Sequence, residues 1–148
     1  MLLTYEDSTS LQSSLEDLIL SLSGSLKVGK SLFREKLYAD QLNFVEDYLK
    51  TRKVDLSDKE KILEALNQLQ EDLKRVTPVD LGVAVEPDDS FKEAIVAWLS
   101  KNVSERVLPR YKVDPAFVGG AKVTYNGIYL DLSLRKKIDE SSILKRKV

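Results

Sequence analysis

Apolar residues in the first half of the chain recur in steps of three and four, the spacing of one face of an α-helix. Leu11, Leu15, Leu18, Ile19 and Leu22 form the first such stripe, with Ser and Thr residues upstream to cap it and Ser23-Gly24-Ser25 to stop it. A second, longer helix is predicted from about Leu26 to Lys50, with Leu26, Phe33, Leu37, Phe44, Tyr48 and Leu49 on a broad stripe whose mixed steps suit pairing with another helix. After the polar break RKVDLSD, Ser57 and Glu60 make an S-x-x-E capping box, and Ile62, Leu63, Leu66, Leu69 and Leu73 mark a third helix.

At Thr77-Pro78 the period changes to two: Val79, Leu81, Val83 and Val85 predict a strand with one buried face, ended by Pro87. Ser90 and Glu93 form another capping box, opening a helix through Ile95, Trp98 and Leu99. Val107, Pro109, Tyr111 and Val113 suggest a second strand, which Pro109 confines to a sheet edge. Asn126-Gly127 between two apolar runs predicts a hairpin with a type I′ turn. That turn pairs Tyr125 with Ile128, Val123 with Leu130 and Ala121 with Leu132 on one face. Lys122, Thr124, Tyr129 and Asp131 fall on the other, so turn and burial demand the same register. Ser133 then stands where the N-cap of a last helix belongs, with Leu134 and Ile138 facing inward. The expectation is an α+β protein: about three helices over residues 1–76, then a small β-α-β-β-β-α domain over residues 77–148 with an Asn-Gly hairpin.

Composition removes most catalytic chemistry. The 148 residues include no histidine and no cysteine, which excludes disulfides, thiol nucleophiles, imidazole bases and metal sites built from those ligands. A net charge of -1 from 23 basic and 24 acidic residues gives no general attraction for nucleic acid or anionic lipid. Arg135, Lys136, Lys137, Lys145, Arg146 and Lys147 crowd one end, but no aromatic residue is interleaved for base stacking, so they read as a solvated face or tail. No apolar run approaches the roughly 20 residues that span a bilayer, and the first residues lack the layout of a signal peptide. A cytosolic chain that reaches a membrane through a partner is expected.

One stretch argues otherwise. GSLKVGKS, Gly24 to Ser31, fits the G-x-x-x-x-G-K-[ST] pattern in which backbone amides and a lysine hold the phosphates of a nucleotide. Gly24, Gly29, Lys30 and Ser31 would be its working residues. The loop needs a buried strand before it, a helix after it and a parallel sheet with a magnesium-binding Asp. LQSSLEDLILSLSG reads better as a helix, and Leu26 to Leu73 offers no convincing strand, so the pattern is rejected as a cofactor site. Gly24 is then a helix stop, and Lys30 and Ser31 face water. No cofactor or metal site is expected.

The segment VDPAFVGGAKVTYNGIYLDLSLRKKID carries Val113-Asp114-Pro115, Gly119-Gly120, the Asn126-Gly127 turn and Asp131-Leu132-Ser133 in order. Pro115 fixes a turn, the two glycines admit backbone angles denied to other residues, and Asp131 and Ser133 can bond free amides of a final helix. These residues read as mainly structural, an anion site at the glycines being the alternative. Together with VTPVDLGVAVEPDDSFKEAIVAWLSKNV upstream, the segment resembles the C-terminal domain of the delta subunit of F-type ATP synthases, known in mitochondria as the oligomycin-sensitivity-conferring protein, over about Val76 to Asp139.

The resemblance implies a non-catalytic brace that ties the catalytic head to the membrane-anchored peripheral stalk and resists rotor torque. It implies b-type stalk subunits as partners, contact with the head's alpha subunits, no nucleic acid, no membrane insertion, and a place on the cytoplasmic side of an energy-transducing membrane, a bacterial plasma membrane. Family members carry a longer helical bundle than the three helices expected before Val76. The long second helix, through Phe33, Leu37, Phe44 and Tyr48, is the candidate for pairing with stalk helices. Two alternatives stand beside this one: a stalk subunit of a vacuolar or archaeal-type ATPase or an export-apparatus stator, and a small nucleotide-binding protein using Gly24 to Ser31.

Overall fold

The computed structural model describes residues 1–24 and 30–114 in full, and the backbone of 121–125 and 128–132. The chain divides into two compact units, one of Met1–Leu2 and Asp7–Arg75, the other of Leu3–Glu6 and the described residues from Val76 onward. The first unit holds most of α1 (Tyr5–Gly24) together with α2 (Lys30–Lys36), α3 (Ala39–Thr51) and α4 (Lys59–Lys74). The second holds β1 (Thr77–Val83), α5 (Asp89–Asn102), β2 (Val107–Val113), β3 (Ala121–Tyr125) and β4 (Ile128–Leu132). The architecture is α+β.

The core of the helical unit follows from the leucine spacing. Leu11, Leu15, Leu18 and Leu22 of α1 are all 0% exposed, whereas Leu20 on the same helix is 72% exposed. The residue type is constant, so the face decides. Phe33 and Leu37, Val45 and Leu49 of α3, and Ile62, Leu66, Leu69 and Leu73 of α4 complete the cluster. Burial of each such side chain stabilises by about 1.5–3 kcal/mol.

The single long helix expected from Leu26 to Lys50 is broken between Lys36 and Ala39, and among the described residues four helices precede the sheet rather than three. Helical geometry supplies the reason. At 3.6 residues per turn, Phe33 and Leu49 would lie about 160° apart around one straight helix, so no single core could bury both. The chain therefore leaves the helix at Leu37-Tyr38. Tyr38 is extended (φ -67°, ψ 160°), and its N–H donates to Gln41 Oε1 at 3.2 Å while Gln41 Nε2 donates to Ser10 Oγ at 3.1 Å. Phe33 and Leu49 now reach the same cluster from two helices.

Two expected caps shift to neighbouring carboxylates. Asp58, not Ser57, caps α4 by accepting from Lys61 N–H at 3.2 Å. Ser57 is drawn instead to Asp55 Oδ1, which accepts from its N–H at 2.9 Å and its hydroxyl at 2.7 Å. In the same way Asp88 caps α5, accepting from Phe91 N–H at 2.8 Å, and leaves Ser90 inside the first turn. A carboxylate at these positions also meets the positive end of the helix dipole.

Between α3 and α4 the chain reverses through Lys53, whose φ of 54° lies in the left-handed region. Lys53 N–H donates to Lys50 C=O and Val54 N–H to Leu49 C=O, both at 3.0 Å. This is the paired-bond helix stop usually built on glycine, and it folds Val54 back against the core.

In the second unit the sheet order is β2-β1-β3-β4. β1 and β2 are parallel, with Val79 opposite Pro109 and Leu81 opposite Tyr111. Parallel neighbours require a crossover, and α5 provides it. Phe91, Ile95 and Leu99, one helical turn apart, pack with Val79, Leu81, Val83 and Val107 into a second core. β2 is an edge strand, a position that tolerates the missing N–H of Pro109. β3 lies antiparallel to β1 and to β4, with Tyr125 opposite Ile128 and Ala121 opposite Leu132. The Asn126-Gly127 turn and the helix expected from Ser133 lie outside the described residues.

β1 ends sooner than the alternation suggests. Val83 is its last residue, flanked by Val113 and Ala121, and Val85 is 73% exposed. Beyond Val83 the chain turns away towards the Asp88 cap, so the valine has no face to bury.

Leu15→Ala is expected to destabilise the protein by about 2–5 kcal/mol, and Leu20→Ala by less than about 0.5 kcal/mol. Denaturant midpoints of the two variants check this, and equal costs would contradict the assignment of the α1 face.

Candidate interaction surfaces

The Gly24 to Ser31 stretch begins where a helix ends. Gly24 is the last residue of α1, residues 25–29 lie outside the described ones, and Lys30 and Ser31 are exposed at the start of the seven-residue α2. A phosphate loop requires a strand on its N-terminal side. The strand is absent there, and every described strand lies at residue 77 or later.

The second unit places part of the C-terminal motif. Val113 closes β2 and is 43% exposed. Asp114 continues the parallel pairing by one bond, its N–H donating to Val83 C=O at 2.8 Å. Asp131 lies in β4 opposite Lys122. Pro115, Gly119, Gly120 and Ser133 lie outside the described residues, so the structure brings Val113, Asp114 and Asp131 into one sheet and describes no ligand geometry around them.

The helical stripe is largely spent on the core. Phe33 and Leu37 are 4% and 6% exposed, and Phe44 and Tyr48 are partly buried against the same cluster. Arg52 sits 4.0 Å above the Tyr48 ring centroid. Burial pushes the Tyr48 hydroxyl's pKa up, with the Arg52 charge opposing it.

One groove on the helical unit has a volume of about 270 Å³. Phe33, Leu49 and Ile62, all buried, form its floor, with Val54 and Leu56 from the α3–α4 turn along one side. Lys30, Glu46 and Lys50 are exposed on its rim and make no ion pair among the described residues. The Lys53 reversal positions this wall, because it swings Val54 back over Leu49.

On the sheet unit, Asp80 of β1 and Arg110 of β2 are register partners and form an ion pair, Nε to Oδ1, at 2.6 Å. The hydrogen bond from Arg110 holds the Asp80 carboxyl below the usual carboxylate range. On the α5 side, Trp98 Nε1 and Tyr111 OH are buried without a hydrogen-bond partner among the described residues. Burial raises the Tyr111 pKa strongly. No group of three or more Asp or Glu carboxylates among the described residues is arranged to hold a metal ion.

A model of the family described as ATP synthase delta (OSCP) subunit matches residues 2–143. This chain belongs to that family. A curated relative, the ATP synthase subunit delta of Methylobacillus flagellatus, is 31% identical over 79 residues, which are 53% of this chain and 44% of the relative. The chain thus covers less than half the length of this delta subunit. The family match takes in the helical unit as well as the sheet unit, beyond the Val76 to Asp139 segment on which the resemblance rests.

Sequence reasoning missed three features of this delta-family chain. The groove draws on α2, α3, α4 and the intervening turn, and its only local signal is the apolar pair Val54 and Leu56 in an otherwise polar break. The Asp80–Arg110 pair is 30 residues apart and needs the parallel register to be seen. The capping carboxylates Asp58 and Asp88 stand beside equally plausible serines.

The sign of the Asp80 contribution follows from its lowered pKa. It is fully present above the unfolded carboxylate value near pH 4 and is lost as pH falls through the lower folded value. Both side chains are about half exposed, 45% and 51%, so its size is a few tenths to about 1 kcal/mol. Asp80→Asn is expected to lower stability by that amount at pH 7 and to converge on the parent in acid, once the pH is below the lowered folded value. Chemical unfolding at the two pH values checks it, and a gap that persists or widens in acid would contradict the pairing.

Proposed function

We propose that this chain is a non-catalytic subunit of the peripheral stalk of an F-type ATP synthase, linking the catalytic head to the membrane-anchored stalk so that rotor torque does not turn the head. The carrying observation is the family match over residues 2–143, which covers both compact units. A brace requires apolar contact of good complementarity and no reactive group. A chain without histidine or cysteine, whose polar clusters serve caps, turns and one cross-strand pair, fits that requirement.

In this reading residues 77–148 form the domain that meets the b-type stalk helices, and residues 1–76 form a helical domain directed at the alpha subunits of the head. Asp114-Pro115, Gly119-Gly120, the type I′ turn at Asn126-Gly127 and a last helix opened by Asp131 and Ser133 shape the first of these domains. The chain works on the cytoplasmic side of the membrane and is held there by its partners. In support, no helix among the described residues is long and apolar enough to cross a bilayer.

Tagged chain expressed in its source cell should copurify with the alpha and b-type subunits after mild detergent extraction, at one defined stoichiometry. Recovery of the chain free of all ATP synthase subunits would contradict the proposal.

A further inference from the structure

We propose that Leu3–Glu6 are a strap that closes the face of the sheet unit opposite α5, with Arg110 as its pin. That face of β1 and β2 is thereby taken by the chain's own start and is shut to a partner while the strap is seated. The inference does not depend on the stalk-subunit reading.

The first ground is burial along β2. A strand covered on one face alternates buried and open residues, and β1 does so through Val79, Asp80 and Leu81. β2 does not: Val107, Leu108 and Pro109 are buried in succession. Successive side chains point to opposite faces, so the start of β2 is covered on both. α5 accounts for one, since Val107 packs with Phe91, Ile95 and Leu99. Leu108, 7% exposed, belongs to neither core cluster and lies on the other face.

The second ground identifies the cover. Leu3–Glu6 belong to the sheet unit, although the residues on either side of them belong to the helical unit. Leu3, Thr4 and Tyr5 are half-buried and Glu6 is exposed. Arg110 shares the face of Leu108, two residues further along β2, and its guanidinium lies 5.8 Å from the centroid of the Tyr5 ring. That is within reach of a cation–π contact, in which arginine is the commoner partner.

The chemistry of arginine suits the pin. A planar guanidinium can hold a carboxylate at one edge while an aromatic ring meets its face. Asp80 Oδ1 accepts from Arg110 Nε at 2.6 Å, which fixes the side chain over the sheet and gives Tyr5 a preset surface to meet. Glu6, the next residue, adds a second negative charge near the same guanidinium. The cross-strand pair therefore has a further task, to orient Arg110 for the strap.

Hydrogen exchange on the full chain tests the strap, with α4 as internal control. Tyr5→Ser should speed amide exchange over residues 107–114 by about fivefold or more, through local opening of the uncovered strand, and leave residues 62–73 unchanged. Tyr5→Phe keeps the ring and should stay within about twofold of the parent. In an Arg110→Gln background, Tyr5→Ser should add little, because the two residues act through one contact. The chain has no cysteine, so Leu108→Cys gives a second readout: its thiol should be labelled about fivefold faster once Tyr5→Ser is added. Unchanged exchange over residues 107–114 in Tyr5→Ser, an equal rise over residues 62–73, a phenylalanine variant as fast as the serine one, or a Leu108→Cys thiol labelled at the same rate with and without Tyr5→Ser would each overturn the proposal.

Discussion

A helix can aim only one stripe at a core, and that constraint organises the helical unit. The four α1 leucines hold to it over about three turns, each fully buried. Between Phe33 and Leu49 the sequence steps by four, which drifts around the helix until a straight rod would point its two ends in opposite directions. The break at Tyr38 resolves the conflict, and the Gln41–Ser10 bond fastens it to α1. The groove is a consequence of the same break, because α2 and α3 diverge from it and the Lys53 turn closes one side.

The sheet unit obeys the corresponding rule of period two. Val79, Leu81 and Val83 face α5, and the alternate positions carry Asp80 paired with Arg110. Trp98 Nε1 and Tyr111 OH are buried without a hydrogen-bond partner among the described residues. Each unit therefore has a core of its own.

Legibility in the sequence follows the range of the interactions. The α1 stripe, α4, the β1 alternation and α5 rest on neighbours within a turn or a pleat and are visible as periodicity. The Tyr38 break was hidden because apolar residues at mixed steps resemble one broad stripe until their angles are added. The caps moved by one or two residues because Ser57 and Ser90 stand beside Asp58 and Asp88, and the carboxylates prevailed in bonding the first-turn amides. Val85 continued a pattern whose partners had ended. The groove and the Asp80–Arg110 pair depend on contacts between distant segments, which no local pattern encodes. Family membership was legible for the opposite reason: the order Val113-Asp114-Pro115, Gly119-Gly120, Asp131-Leu132-Ser133 is a linear signal, and the match over residues 2–143 carries it into the helical half.

A brace is recognised by what fails when it is removed. The direct measurement compares ATP hydrolysis with ATP-driven proton pumping in membranes stripped of this chain, before and after the purified protein is added back. A stator role predicts that hydrolysis persists throughout while pumping is lost on removal and restored on addition. Pumping that is unaffected by removing the chain would contradict it.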